Sequence, residues 1–293
     1  MFTGSGVAII TPFKEDGTIN FEKLGELLEF HIKNSTDAII ITGTTGEAST
    51  LNDEEHIAVI EYTVKKINKR IPVIAGTGSN DTAHGIKLSK KAEEVGVDGL
   101  LQVTPYYNRT NKQGLINHFE AIANSVNIPI ILYNVPGRTG INIPVEVVEH
   151  LSKHKNIIGI KEASGNISYV AEIARRVEEE FYIYSGNDDI IVPTLSLGGR
   201  GVISVIANIM PKETHDIVEL FLTGQIKEAS KLQLKLKPFI DSLFIETNPI
   251  PIKKAMNLKG YEVGPLRPPL YELSKESTKI LVNEMKKLNL IKE

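Results

Sequence analysis

The 293-residue chain contains no cysteine. That absence removes disulfides, thiolate metal sites and cysteine nucleophiles together, and it fits a reducing compartment. Long apolar runs are missing as well. Stretches such as Ala38-Ile39-Ile40-Ile41 are far too short to span a bilayer. Neither sign of charge dominates: 33 Lys and Arg face 36 Asp and Glu, a formal net charge of −3. Without a long Lys/Arg cluster there is no electrostatic footprint for nucleic acid. Met1-Phe2-Thr3-Gly4-Ser5 lacks the charged region and apolar stretch of a signal peptide. The expectation is a soluble, cytoplasmic protein with neither nucleic acid nor membrane as a partner. What is present is ordinary for a globular chain, with 41% hydrophobic and 24% charged residues. The length suits one large α/β barrel with an appendage, or two smaller domains.

Short apolar runs alternate with longer amphipathic stretches almost to residue 224. The runs are Gly6–Ile10, Ala38–Ile41, Val73–Ala75, Gly99–Val103, Ile128–Tyr133, Ile157–Ile160, Tyr182–Tyr184 and Gly201–Val205. Their length and β-branched content predict strands buried on both faces. Between them, Ile57, Ile60, Val64 and Ile67 recur at helical spacing, and Asn52 with Glu55 three residues later predicts a helix start. Leu88, Ala92 and Val95 repeat the pattern, as do Ile167, Val170, Ala174 and Val177. Parallel neighbours need helical crossovers, and eight strand–helix units are the number that closes a barrel. An open doubly wound sheet competes, but the first strand–helix turn lacks the Gly-x-Gly-x-x-Gly fingerprint. Residues 225–293 read as helix only: Lys227–Phe244, a short piece near Ile252–Leu258, and Lys275–Leu290. The expected architecture is a (β/α)8 TIM barrel over residues 1–224 with a C-terminal helical region over 225–293.

In such a barrel the site lies at the C-terminal ends of the strands. Lys161 follows Ile157-Ile158-Gly159-Ile160 directly, where its neighbours should be buried. Desolvation there would lower its pKa and free the amine to attack a carbonyl. The competing reading is a lysine paired with Glu162 or Glu47 for structure alone. Tyr133 ends the neighbouring strand, where a phenol can carry protons, although most strand tyrosines are core aromatics. Arg138, in the constrained loop Val135-Pro136-Gly137-Arg138, has the fork to grip a carboxylate; otherwise it is a surface arginine. The turn Gly43-Thr44-Thr45-Gly46 presents backbone N–H groups and two hydroxyls suited to a small anion. It is not a P-loop, since no Gly-Lys-Ser/Thr follows.

Three strings together carry a resemblance: Gly43-Thr44-Thr45-Gly46-Glu47, Tyr133-Asn134-Val135-Pro136-Gly137-Arg138-Thr139-Gly140 and Gly159-Ile160-Lys161-Glu162-Ala163-Ser164-Gly165. In order and spacing the chain resembles the dihydrodipicolinate synthase family along essentially its whole length. The resemblance implies a lyase that condenses pyruvate with aspartate semialdehyde, the entry step to diaminopimelate and lysine. It implies that Lys161 forms the Schiff base and that Tyr133 moves protons, linked through Thr44 to Tyr107. That last tyrosine would come from a neighbouring subunit, in a homo-oligomer that is typically a dimer of dimers. Thr45 matches the holder of the pyruvate carboxylate, and Arg138 the receiver of the semialdehyde carboxylate. Gly186 and the carbonyl of Ile203 match positions that line the pocket. No cofactor and no metal is implied. Lysine-sensitive relatives bind that end product near positions matching Ser49, His56, Asn80, His84 and Tyr106. Those relatives carry an acid at position 84, and a histidine is common at position 53; this chain has His84 and Asp53. Weak or absent lysine inhibition is therefore expected.

Several rival functions use parts of the same residue set. N-acetylneuraminate lyase and 2-keto-3-deoxy sugar acid aldolases share the turn, the tyrosine and the lysine, but have less use for a second carboxylate clamp at Arg138. An aldolase acting on a sugar phosphate draws on Gly198-Gly199-Arg200-Gly201 near the eighth strand. A metal-dependent aldolase needs converging ligands, and the seven histidines are scattered. A non-catalytic binding or scaffold barrel would keep the fold without needing lysine, tyrosine and arginine together.

Overall fold

A computed structural model describes residues 1–292 of the chain. Eight strands close into one barrel, each parallel to its neighbours, in the order in which they occur: β1 Gly4–Ala8, β2 Ala38–Ile41, β3 Val73–Gly76, β4 Gly99–Val103, β5 Ile130–Asn134, β6 Ile157–Glu162, β7 Tyr182–Ser185 and β8 Gly201–Ser204. The helices are α1 Phe21–Lys33, α2 Asp53–Ile67, α3 Thr82–Val95, α4 Lys112–Ala123, α5 Pro136–Thr139, α6 Val145–Leu151, α7 Ile167–Arg176, α8 Ile191–Ser196 and α9 Pro211–Leu222. After them come α10 Ile226–Ser242, α11 Ile250–Leu258 and α12 Lys275–Lys287. The (β/α)8 barrel with C-terminal helices is therefore the observed architecture. Strand limits differ from the sequence reading by a few residues at most. β1 shifts toward the N-terminus, and β6 runs two residues longer, so that Lys161 lies within the strand.

Two apolar layers explain why the strands read as continuous hydrophobic runs. Ala8, Ala38, Ile40, Ile74, Leu101, Ile131, Tyr133, Tyr184 and Ile203 form the cluster inside the barrel. Ile39, Ile41, Leu100, Ile130, Leu132, Ile160 and Val202 belong to the outer cluster that packs under the helices. Strand side chains alternate in direction, so both faces need apolar residues. Fully burying each isoleucine contributes roughly 1.5–3 kcal/mol.

The helix starts follow local chemistry. Asn20, Asn52, Asp81, Asn111, Asn166 and Ser274 each accept a backbone N–H at a helix N-terminus. At Asn52 the reciprocal bond from Glu55 completes a capping box, as expected. The buried face of α2 departs from the predicted stripe: His56, Val59, Ile60, Thr63 and Ile67 point inward, while Ile57 and Val64 are half-buried. Two polar residues can lie inward because each finds a partner. His56 Nε2 is 2.8 Å from the Gly76 carbonyl, and Thr63 donates to the Val59 carbonyl at 2.8 Å. Polarity hid the core face here. Among the described residues no helix is long and apolar enough to cross a membrane.

Candidate active site

Register places Tyr133 of β5 beside Lys161 of β6. Ile160 points out toward the helices, so Lys161 points into the barrel on the same side as Tyr133. Its Nζ lies 4.4 Å from the centroid of the Tyr133 ring. Lys161 is 6% exposed and Tyr133 7%, yet among the described residues the amine enters no hydrogen bond and no ion pair. Both structural partners considered for it are engaged elsewhere. Glu162 accepts from Asn134 Nδ2 at 3.0 Å and from the Ser164 N–H at 2.9 Å. Glu47 Oε1 lies 2.6 Å from Lys253 Nζ.

Burial raises the pKa of the nearby carboxyls. It pushes Glu162 up, against hydrogen bonds from Ser164 and Asn134. It also pushes up Asp188, just beyond β7, against hydrogen bonds from Ser204, Ile206 and Val205 and the charge of Lys161. Asp188 Oδ2 accepts the N–H groups of Val205 and Ile206 at 2.9 and 3.0 Å, tying the end of β7 to the end of β8. An amine free of a bonded carboxylate keeps its lone pair available once it loses its proton.

The turn after β2 makes the anion cradle. Thr42 and Glu47 flank it with φ of 52° and 54°, the left-handed region that side chains rarely adopt. Gly46 donates to the Gly43 carbonyl and Glu47 to the Thr44 carbonyl, both at 3.1 Å. The N–H groups of Thr44 and Thr45 donate to no acceptor among the described residues. Such unfilled, adjacent donors suit a carboxylate. Arg138 is exposed at the mouth on α5, with Nη2 donating to the Asn248 carbonyl at 2.7 Å. Its other guanidinium nitrogens make no hydrogen bond among the described residues.

Thr44, Tyr133 and Arg138 line a cavity of about 350 Å³ that also reaches Ser49, His56, His84 and Tyr106. Gly186 follows β7 and donates its N–H to the Glu162 carbonyl at 2.7 Å, and Ile203 packs in the inner cluster with Tyr133 and Tyr184. A Cβ on Gly186 would lie 2.6 Å from that of Ala163, so only glycine fits. Ile203 is fully buried in β8 opposite Gly6. Six expected residues do not line that cavity: Lys161, Thr45, Gly186, Ile203, Asn80 and Tyr107. Asn80 accepts a hydrogen bond from Asn108 through its carbonyl. Tyr107, at φ 70°, is 93% exposed and touches neither Thr44 nor Tyr133 through a hydrogen bond. Gly198-Gly199-Arg200-Gly201 enters β8 at its N-terminal end, opposite the cavity, which removes the support for a phosphate site there. His150 is paired with Glu120, and His154 lies 3.2 Å from Asn124 on the outside.

Several residues here carried no sequence signal. Asn248, between α10 and α11, contacts both Arg138 and Thr45. Lys253 of α11 is 1% exposed, and burial pushes its ammonium down to about 8 against the pull of Glu47. Arg267 donates its N–H to Glu47 Oε2 at 3.0 Å and its guanidinium to both oxygens of Glu55 at 2.6 and 2.7 Å.

Fold and site together define a (β/α)8 barrel whose strand ends carry a buried amine unpaired among the described residues, a phenol, an anion cradle and an arginine. Similarity to known proteins narrows the class. The sequence pattern of the Dihydrodipicolinate synthetase family matches residues 1–288, and the chain belongs to that family. It is 58% identical over 291 residues to the 4-hydroxy-tetrahydrodipicolinate synthase of Acetivibrio thermocellus, covering 99% of each chain. To the synthase of the same name from Caldicellulosiruptor saccharolyticus it is 59% identical over 281 residues, 96% of this chain and 95% of the relative. The solved structure of the Methylacidiphilum fumariolicum synthase superimposes with a TM-score of 0.97 at 43% identity, covering 99% and 96% of the two chains.

Proposed function

We propose that this enzyme condenses pyruvate with L-aspartate semialdehyde to give 4-hydroxy-tetrahydrodipicolinate, a lyase step of lysine and diaminopimelate biosynthesis in the cytoplasm. The observation that carries this reading is the unpaired Lys161 amine, 4.4 Å from the ring centroid of Tyr133. Neutral Lys161 Nζ attacks C2 of pyruvate, and water leaves as the imine forms. The protonated imine is a better electron sink than a ketone, so a proton leaves the pyruvate methyl and an enamine results. The enamine carbon attacks the aldehyde carbon, and the new alkoxide takes up a proton. The amino group of the semialdehyde then attacks C2 and displaces Lys161, which closes the ring and frees the enzyme. Overall, one water is released.

Tyr133 is the proton carrier, working with Thr44 and with Tyr107. Because Tyr107 is exposed and remote in a single chain, a neighbouring copy supplies it in a homotetramer built as a dimer of dimers. The Thr44 and Thr45 N–H groups hold the pyruvate carboxylate, beside Gly186 and the Ile203 carbonyl. Arg138 takes the carboxylate of the semialdehyde through its free nitrogens. An aldolase for neutral sugar-derived aldehydes has no use for that second clamp.

The test is steady-state turnover with pyruvate and each of two partners. Ring formation with aspartate semialdehyde and no turnover with N-acetylmannosamine is the expected result. The reverse preference would overturn the assignment.

A further inference from the structure

Asn248 touches both halves of the carboxylate-binding machinery although it lies in the C-terminal region. Its Nδ2 donates to Thr45 Oγ1 at 3.0 Å, across 203 positions of sequence. Its backbone carbonyl accepts from Arg138 Nη2 at 2.7 Å, across 110 positions. Asn248 is 5% exposed and Thr45 2%. Because Thr45 Oγ1 accepts from the amide, its own proton remains for another acceptor, and among the described residues it donates to none. Arg138, fixed through one nitrogen, keeps a defined orientation with its remaining donors open.

The segment around Asn248 is itself fastened to the same turn. Five residues on, Lys253 pairs with Glu47 at 2.6 Å and donates to the Pro265 carbonyl at 2.8 Å. Arg267 then binds Glu47 and Glu55, which caps the loop on its far side. The cost is visible at Asn248, whose Oδ1 is buried without a partner among the described residues. A buried unsatisfied carbonyl is a poor device for stability alone.

We propose that Asn248 is a positioning residue that fixes the spacing and orientation of Thr45 and Arg138, so that the C-terminal segment sets recognition of the two substrate carboxylates. This rests on the roles given above to Thr45 and Arg138. The readout is the split between KM and kcat in the full-length enzyme. Asn248→Ala removes the amide but keeps the backbone carbonyl that Arg138 binds, so it should raise the pyruvate KM about tenfold, the worth of one hydrogen bond that orients a ligand contact, and leave the semialdehyde KM within about threefold. Its kcat should stay within about threefold, since the amide touches neither Lys161 nor Tyr133.

Thr45→Val approaches the same bond from its other end and serves also if Asn248→Ala fails to fold. It should raise the pyruvate KM by a similar factor, and adding Asn248→Ala to it should change that KM by less than about twofold. A pyruvate KM in Asn248→Ala within twofold of wild type, or fully additive effects in the double variant, overturns the proposal. If both outcomes occur while borohydride still traps pyruvate on wild-type Lys161, the assigned function stands and only the role of Asn248 falls. A wild type that traps no pyruvate overturns both.

Discussion

Tyr133 and Lys161 are register partners on neighbouring strands, and the lysine amine lies 4.4 Å from the centroid of the phenol ring. The ring thus lies against the amine, while the hydroxyl makes no hydrogen bond among the described residues. The two roles can be separated. Tyr133→Phe keeps the ring and removes the hydroxyl proposed as the proton carrier. Turnover should fall on the order of 10²–10⁴-fold, the usual worth of a positioned acid or base, with trapping of pyruvate on Lys161 slowed but retained. Loss of less than about threefold would remove Tyr133 from the mechanism.

Glu47 and Lys253 form an ion pair with side chains 0% and 2% exposed. Glu47→Gln leaves a buried ammonium without its counter-charge, which costs about 3–5 kcal/mol. Thermal unfolding should shift down on the order of 10 °C. Replacing both partners with apolar residues of similar volume, Glu47→Leu with Lys253→Met, should recover much of that loss. A single variant that melts with wild type would contradict the pairing.

His31 is fully buried in α1, and burial pushes its imidazole down to about 3. The folded protein therefore keeps it neutral, whereas the unfolded chain takes up a proton below about 6.5. Its contribution to stability is intact above that value and falls by about 1.4 kcal/mol per pH unit below it, toward the folded-state value. Urea unfolding should show a loss of about 2 kcal/mol between pH 6.5 and 5 that His31→Asn lacks. Equal pH slopes in the two proteins would contradict the buried neutral state.

Lysine inhibition should be weak. His84 occupies the position where sensitive relatives carry an acid, and its Nε2 lies 2.9 Å from Asp53 Oδ1. The other Asp53 oxygen accepts from Lys87 at 2.6 Å. The carboxylate in this part of the cavity is thus engaged on both oxygens, leaving a ligand ammonium to displace existing bonds. Activity should survive low-millimolar lysine, and a halving there would contradict the expectation.

Much of this was legible because period and position carry physical meaning. Continuous apolar runs marked strands covered on both faces, and the strand ends marked Lys161, Tyr133 and the Gly43–Glu47 turn. Asn52 and Glu55 announced the start of α2 through their spacing alone. Asn248 and Lys253 were not legible, because their partners at the barrel mouth lie 110 or more positions away and no periodicity links positions so distant. The inward face of α2 was misread for a different reason. His56 and Thr63 are polar, and only the tertiary structure supplies the carbonyl that makes His56 tolerable inside. Tyr107 illustrates a third limit: nothing in its local sequence separates a strand end from the exposed turn it occupies, at φ 70° and 93% exposed.

The most direct measurement is borohydride reduction in the presence of pyruvate, followed by peptide mass mapping. A reduced pyruvyl adduct on Lys161, absent in Lys161→Ala, is the predicted result. No adduct on the folded wild-type protein, or an adduct on another lysine such as Lys253, would contradict the assignment of Lys161 as the Schiff-base residue.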